Sequence, residues 1–203
     1  MGKPGVYAAL AVLIAAFGFT TYMVKRSEMT QPLAGPQQGS PSSPGLTGHK
    51  SPDFTLASVD GKKVSLAEFN GKSVVLLDFW ATWCPPCRAA MPGLAELDDK
   101  YGSKGLKVIS INQGEDAATV SRFVKETGYK PLVLLDDGPT GKEYRVRAIP
   151  TLVLVDKTGK VAAVHEGYSP VTHSQLEEKI CKLLGLKYVP DTKMRGVVRF
   201  GNH

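Results

Sequence analysis

The sequence has only three cysteines in 203 residues, too few to staple a disulfide-dependent scaffold. No second Cys or His pair stands at zinc-framework spacing from any of them, so no structural metal site is expected. A charge excess is also missing from the middle of the chain. The formal net charge is +6, yet residues 51–186 carry 17 basic and 17 acidic side chains, and the excess sits at the two ends. A nucleic-acid face would need that excess on the folded part, so no nucleic-acid partner is expected. Hydrophobic content of 42% with 22% charged residues excludes both wholesale disorder and a polytopic membrane protein.

Charge is absent altogether from Gly5 to Val24, where Val6–Val24 reads VYAALAVLIAAFGFTTYMV. At about 1.5 Å per residue this run is long enough to cross a hydrocarbon layer of about 30 Å. Lys25 and Arg26 follow directly, with no small-residue cleavage pattern and no nearby cysteine to take a lipid. Residues 1–26 therefore read as an uncleaved single-pass transmembrane anchor, with a cleaved signal sequence as the alternative. Lys3 on one side and Lys25 with Arg26 on the other leave the orientation open on charge alone. Residues 27–50, rich in Pro, Gly, Ser and Gln, read as a flexible linker too polar to build a core, with His49 a solvated member of it. Residues 187–203 read as a basic, solvated tail; wrapping of the domain or contact with anionic lipid are the alternatives.

From 51 to 186 the pattern alternates strand and helix. DFTLASVDGKKVSL predicts a short hairpin around Asp60–Gly61. KSVVLLDFWA is a continuous apolar run, as in a strand buried on both faces. Residues 85–100 predict a helix, LKVISIN a strand, and DAATVSRFVKETG an amphipathic helix closed by Gly128. PLVLLDD, a short helix near 139–145, two strands in TLVLVDKTGKVAAVHEG and a closing helix in VTHSQLEEKICKLLG complete an α/β sandwich.

The chemistry is concentrated in DFWATWCPPC, residues 78–87. Two cysteines three apart, where a buried strand turns into a helix, can close and open a small disulfide ring. The helix start sets unpaired N–H groups and the positive dipole end beside the first sulfur, favouring its thiolate. Proline suits that first turn, where its missing N–H would be unpaired anyway. Cys84 thus reads as the attacking sulfur, and Cys87, one turn in and more buried, as the resolving one. Half a metal site, a purely structural disulfide and a peroxidatic cysteine are the alternatives for the same residues.

DFWATWCPPC, together with Pro92 and the distant AIPT at 148–151, resembles the thioredoxin fold. The tether, the PDFTL hairpin and WCPPC are similar to the TlpA/ResA/CcmG-like branch of membrane-anchored thioredoxins over about residues 51–186. The resemblance implies a thioredoxin-like domain with an N-terminal β-hairpin extension, held on the extracytoplasmic (periplasmic) side of the cytoplasmic membrane with the N-terminus inside. It implies a thiol–disulfide oxidoreductase that needs no cofactor beyond its own Cys84–Cys87 disulfide. Its partners would be protein disulfide substrates and a transmembrane thiol electron donor, in cytochrome c maturation or copper-site assembly.

Carried over residue by residue, Pro150 matches the cis-proline facing the CxxC and Ile149 the backbone on which a substrate chain pairs. Pro92 matches the helix-kinking proline, and Trp80, Trp83 and Gly167 match residues around the groove, for which plain packing is an equal reading. Asp78 matches the buried acid that exchanges a proton with the second cysteine, and burial alone predicts a raised pKa for it. Two positions depart from the pattern: Ala90 stands where ResA-like proteins often carry glutamate, and Ser110 where thioredoxin places a lysine.

Prolines at 85 and 86 remove two N–H donors from the Cys84 thiolate, which predicts a reducing couple, while the charge of Arg88 works the other way. A disulfide oxidase or isomerase, or a copper-binding assembly factor using Cys84 and Cys87 as ligands, are the competing readings. Cys181 reads as a buried small hydrophobe, and His165 and His173 are too unconvincingly placed to complete a copper site.

Overall fold

The computed structural model describes residues 45–190; the anchor read at 1–26, most of the linker and the tail from 191 lie outside the described residues. No helix among the described residues is long and apolar enough to cross a membrane. The elements are β1 (Thr55–Ser58), β2 (Lys63–Ser65), β3 (Val74–Trp80), α1 (Pro85–Tyr101), β4 (Leu106–Gln113), α2 (Ala117–Thr127), β5 (Leu132–Asp136), α3 (Pro139–Glu143), β6 (Thr151–Val155), β7 (Val161–Glu166) and α4 (Pro170–Leu184).

Seven strands form one sheet in the order β2-β1-β5-β4-β3-β6-β7. β3, β4 and β5 run parallel, joined by α1 and α2, and β6 and β7 add antiparallel on the other side of β3. This is the thioredoxin-like α/β arrangement. β1 and β2 pair antiparallel, and β1 also pairs with β5, so the N-terminal strands extend the sheet along its far edge.

Alternation along β3 explains the layers. All seven residues VVLLDFW are buried. Val74 and Leu76 join Ala90, Leu94 and Leu97 of α1 and Leu176 and Ile180 of α4 on one face, while Val75, Leu77 and Phe79 pack with Phe54, Leu66 and Tyr144 on the other. A strand covered on both faces must be apolar throughout. Asp78 is therefore the exception that needs a reason.

Helix ends follow local chemistry. Asp116 and Ser169 cap α2 and α4 through side-chain bonds to the third residue of each first turn, and Gly128 and Gly185 close them in the left-handed conformation, at φ 66° and 71°.

The stretch read as linker does not end where its composition suggests. Leu46 is 6% exposed and joins the core cluster on the far face of β3. Gly48 N donates to Val161 O, Val161 N donates to His49 O, and Lys50 bridges to Lys160, so residues 46–50 run beside β7. The domain thus begins at about residue 46, earlier than the boundary at 51. One leucine is enough to dock the segment, because Gly45 and Gly48 at φ 115° and 84° supply the turns that aim it inward. At the other end Leu186 and Tyr188 pack partly against the α1/α4 core, so the tail's first residues lie on the domain.

Candidate active site

β3 delivers the chain to the site. After Trp80 the segment Ala81–Trp83 turns, and Cys84 becomes the N-cap of α1, with Pro85 and Pro86 in the first turn. Cys84 and Cys87 form a disulfide with Cα atoms 5.3 Å apart. Cys84 Sγ accepts the Cys87 N–H at 3.3 Å, the capping bond for which N-cap side chains are selected. The two prolines offer no N–H, so Cys87 supplies the one backbone donor to that sulfur among the described residues.

Both sulfurs are enclosed, Cys84 at 3% and Cys87 at 1% residue exposure, so burial does not separate their roles. Position does. Cys84 stands at the helix end, next to the 68% exposed Trp83, and its Sγ lies 3.8 Å from the carbonyl oxygen of Ile149. Cys87 lies one turn into α1, and both cysteines pack in one cluster with Trp80, Ala81, Met91, Val120, Tyr129 and Val133.

The Ile149–Pro150 peptide bond is cis. It leads into β6, and Thr151 Oγ1 donates to the Ala148 carbonyl at 2.6 Å, tying the bend together. Gly167 N donates to Pro150 O at 2.7 Å with φ 79°, a conformation in which a side chain would be strained. Ile149, Pro150 and Gly167 therefore form one wall, and Trp83 stands beside Cys84. Trp80 is fully buried against Phe123, with its indole N–H lacking a partner among the described residues.

Asp78 is 1% exposed, on the same face of β3 as Trp80, and flanked in register by Ser110 of β4 and Leu152 of β6. Burial pushes its carboxyl from about 3.8 up to about 7, against the opposing hydrogen bond from Ser110. Ser110 Oγ donates to Oδ2 at 3.3 Å, while Oδ1 has no partner among the described residues. The lysine position of thioredoxin thus holds a hydroxyl that does contact the acid. Ala90 is fully buried in the α1 core.

Two features escape a reading of the sequence. Tyr129, ordinary core by composition, places its hydroxyl 2.9 Å from Ser110 Oγ. Glu115 accepts from Thr82 N at 2.7 Å, Thr82 Oγ1 at 2.5 Å and Asn112 Nδ2 at 2.7 Å, fastening the turn that precedes Cys84 to the end of β4. Burial acts to raise the Glu115 carboxyl, but the bonds from Asn112 and Thr82 outweigh it and hold it below the usual value. Only the acidic residue after a strand end hinted at such a clasp.

The discounted residues lie elsewhere. Cys181 is buried in α4, with its Sγ 3.4 Å from Tyr101 OH. His173 is engaged by Tyr168 OH at 2.7 Å, and His165 lies on β7, half buried. Among the described residues no group of three or more His, Cys, Asp or Glu gathers in a way that could hold a metal ion.

A buried dithiol pair at a helix start, an acid on the adjoining strand and a cis-proline wall can exchange electrons with a disulfide. Known proteins agree. The Redoxin family model matches residues 46–180. The chain is 35% identical over 178 residues to the thiol-disulfide oxidoreductase ResA of Bacillus thuringiensis subsp. konkukian, covering 86% of this chain and 92% of that protein. The ResA of Halalkalibacterium halodurans is 32% identical over 170 residues, covering 83% and 88% of the two chains. Among solved structures, a thiol:disulfide interchange protein from Chlorobium tepidum assigned as DsbE superposes with a TM-score of 0.65 at 37% identity, covering 68% of this chain and 98% of that one. The chain belongs to the Redoxin family, as a thiol–disulfide oxidoreductase of the ResA-like kind.

Proposed function

We propose that the protein is a reductant of disulfides in proteins outside the cytoplasmic membrane, held there by residues 1–26 with the N-terminus inside. The observation that carries the direction is the single backbone donor to Cys84 Sγ among the described residues, given the two prolines. A thiolate with few donors leaves the reduced form less stabilised, and the couple correspondingly more reducing.

In the reduced protein the Cys84 thiolate attacks one sulfur of the client disulfide, and the other client sulfur leaves as thiolate. Cys87 then gives its proton to the Asp78 carboxylate and attacks Cys84 Sγ, which releases the second client sulfur. The Cys84–Cys87 disulfide remains, and two electrons have passed to the client. A transmembrane thiol donor restores the dithiol. Clients lie along Ile149 and Pro150, with Trp83 and Gly167 bounding the groove. Apocytochrome c or a copper-site protein is the client class implied by the resemblance to the TlpA/ResA/CcmG-like branch.

The test uses the full-length protein with a Cys87→Ser substitution, which stalls the reaction at the mixed disulfide. The expected results are a client covalently held by Cys84 and, in molecules that have captured no client, labelling of the free Cys84 thiol in intact cells by a reagent that does not cross the membrane. Labelling only after lysis overturns the extracytoplasmic placement. Stoichiometric Cu(I) retention that is lost in Cys84→Ser, without turnover of a disulfide, overturns the reductase reading in favour of a copper-binding assembly factor.

A further inference from the structure

A buried acid that takes a proton in every cycle must also lose it in every cycle. Asp78 is 1% exposed and cannot exchange with water directly. One side of its carboxyl is joined to two hydroxyls in sequence: Ser110 Oγ lies 3.3 Å from Oδ2, and Tyr129 OH 2.9 Å from Ser110 Oγ. Ser110 is fully buried, whereas Tyr129, just after the glycine that closes α2, is 9% exposed. Ser110 has one proton to donate, and Asp78 receives it, so Tyr129 is the donor in the outer bond. The three groups form a hydrogen-bonded file from the acid to a tyrosine that keeps 9% of its surface exposed.

We propose that Ser110 and Tyr129 are the proton path between Asp78 and solvent, a positioning pair that acts on the thiol step through the acid. The inference rests on the reading of Asp78 as the proton acceptor for Cys87. Inward transfer moves the Ser110 proton to Asp78, the Tyr129 proton to Ser110 and a proton of water to Tyr129. Outward transfer is the reverse, and neither direction leaves a net charge on a hydroxyl.

Asp78 and Tyr129 are faced from the neighbouring elements by both apolar and titratable groups. β6 contributes Leu152 in register, and α1 contributes the disulfide and Asp98, whose carboxylate is occupied by Val108 N at 3.2 Å. Tyr168, ahead of α4, feels the charges of Glu96 and Asp78 and hydrogen-bonds His173. Tyr129 feels Asp78, Asp98 and Tyr168, while burial keeps its phenol protonated well beyond its ordinary value. It therefore serves as a relay and does not hold a charge.

Three variants of the full-length protein test the path: Ser110→Ala, Tyr129→Phe and Ser110→Thr. The readouts are the infrared titration of the Asp78 carboxyl in the disulfide form, its protonation rate after a pH jump, and the pH profile of disulfide reduction. In Ser110→Ala the Asp78 midpoint moves up by about one unit, because a hydrogen bond to the carboxylate is lost. In Tyr129→Phe, which keeps the ring, protonation slows by at least about tenfold. Ser110→Thr, which keeps the hydroxyl, restores wild-type behaviour. A protonation rate in Tyr129→Phe equal to wild type overturns the path. Asp78→Asn separates the two claims. An unchanged pH profile in that variant means the acid–base reading of Asp78 itself is wrong. A flattened profile there, beside unchanged profiles in the hydroxyl variants, removes only the path.

Discussion

Replacing Cys84 with serine is expected to lower the rate of disulfide reduction by at least about a thousandfold, while circular dichroism shows the fold intact. The asymmetry between the two cysteines comes from position, since both are buried in the disulfide form. Cys84 caps α1 and lies against the Ile149 carbonyl, where an extended client would dock, whereas Cys87 sits in the first turn of the helix. A hydroxyl at 84 keeps the cap, because serine is among the favoured N-cap residues, but it lacks the nucleophile. Cys87→Ser should behave differently: the first attack proceeds and the product stays attached to Cys84. Loss of the disulfide costs little stability, because closing so short a loop removes little chain entropy. Steady-state turnover together with a non-reducing gel checks both variants. If Cys87→Ser turned over normally and Cys84→Ser accumulated the adduct, the assignment of attacking and resolving sulfurs would be reversed.

The second large effect is on stability and its pH dependence. Asp78 has a folded-state pKa of about 7, against an ordinary value of 3.8. Below the lower value the acid is protonated in both states, and its burial carries no ionisation penalty. Between the two values the unfolded chain ionises while the folded protein holds the proton, so stability falls as pH rises. The loss is complete above about pH 7, and a span of about three units at about 1.4 kcal/mol each amounts to about 4 kcal/mol. Asp78→Asn removes that loss. Its advantage over wild type in urea unfolding of the oxidised protein should therefore grow by about 4 kcal/mol between pH 4 and pH 8.5. An advantage that stays constant across that range would show that Asp78 ionises in the folded protein as readily as in water. Such a cost retained in the middle of the central strand is what a group with a functional duty predicts.

Much of this was legible in the residues. The order of strands and helices follows from periodicity and caps, as with Gly128 after DAATVSRFVKET and the Ser169 cap before PVTHSQLEEK. WCPPC announces its chemistry because few arrangements put two cysteines at a helix start behind two prolines. What stayed hidden depends on contacts distant in sequence. A lone Leu46 in a polar stretch carries no periodicity, so its docking against the sheet could not be read. The join of β1 to β5 links residues about eighty positions apart, which local pattern does not encode. Ser110 drew notice only as a position where a lysine was absent. Its link to Tyr129 depends on the turn after α2 bringing a phenol back over β4. The Glu115 clasp on Thr82 was hidden for the same reason.

The central claim is that this dithiol is a reductant. Its most direct test is the reduction potential of the full-length protein, equilibrated against glutathione or dithiothreitol and read from the Cys84–Cys87 redox state. Two prolines and a single backbone donor on Cys84 Sγ predict a value below about −230 mV, on the thioredoxin side of the scale. A value above about −180 mV, toward the strongly oxidising DsbA-type sites, would contradict the account and make the protein an oxidase or isomerase.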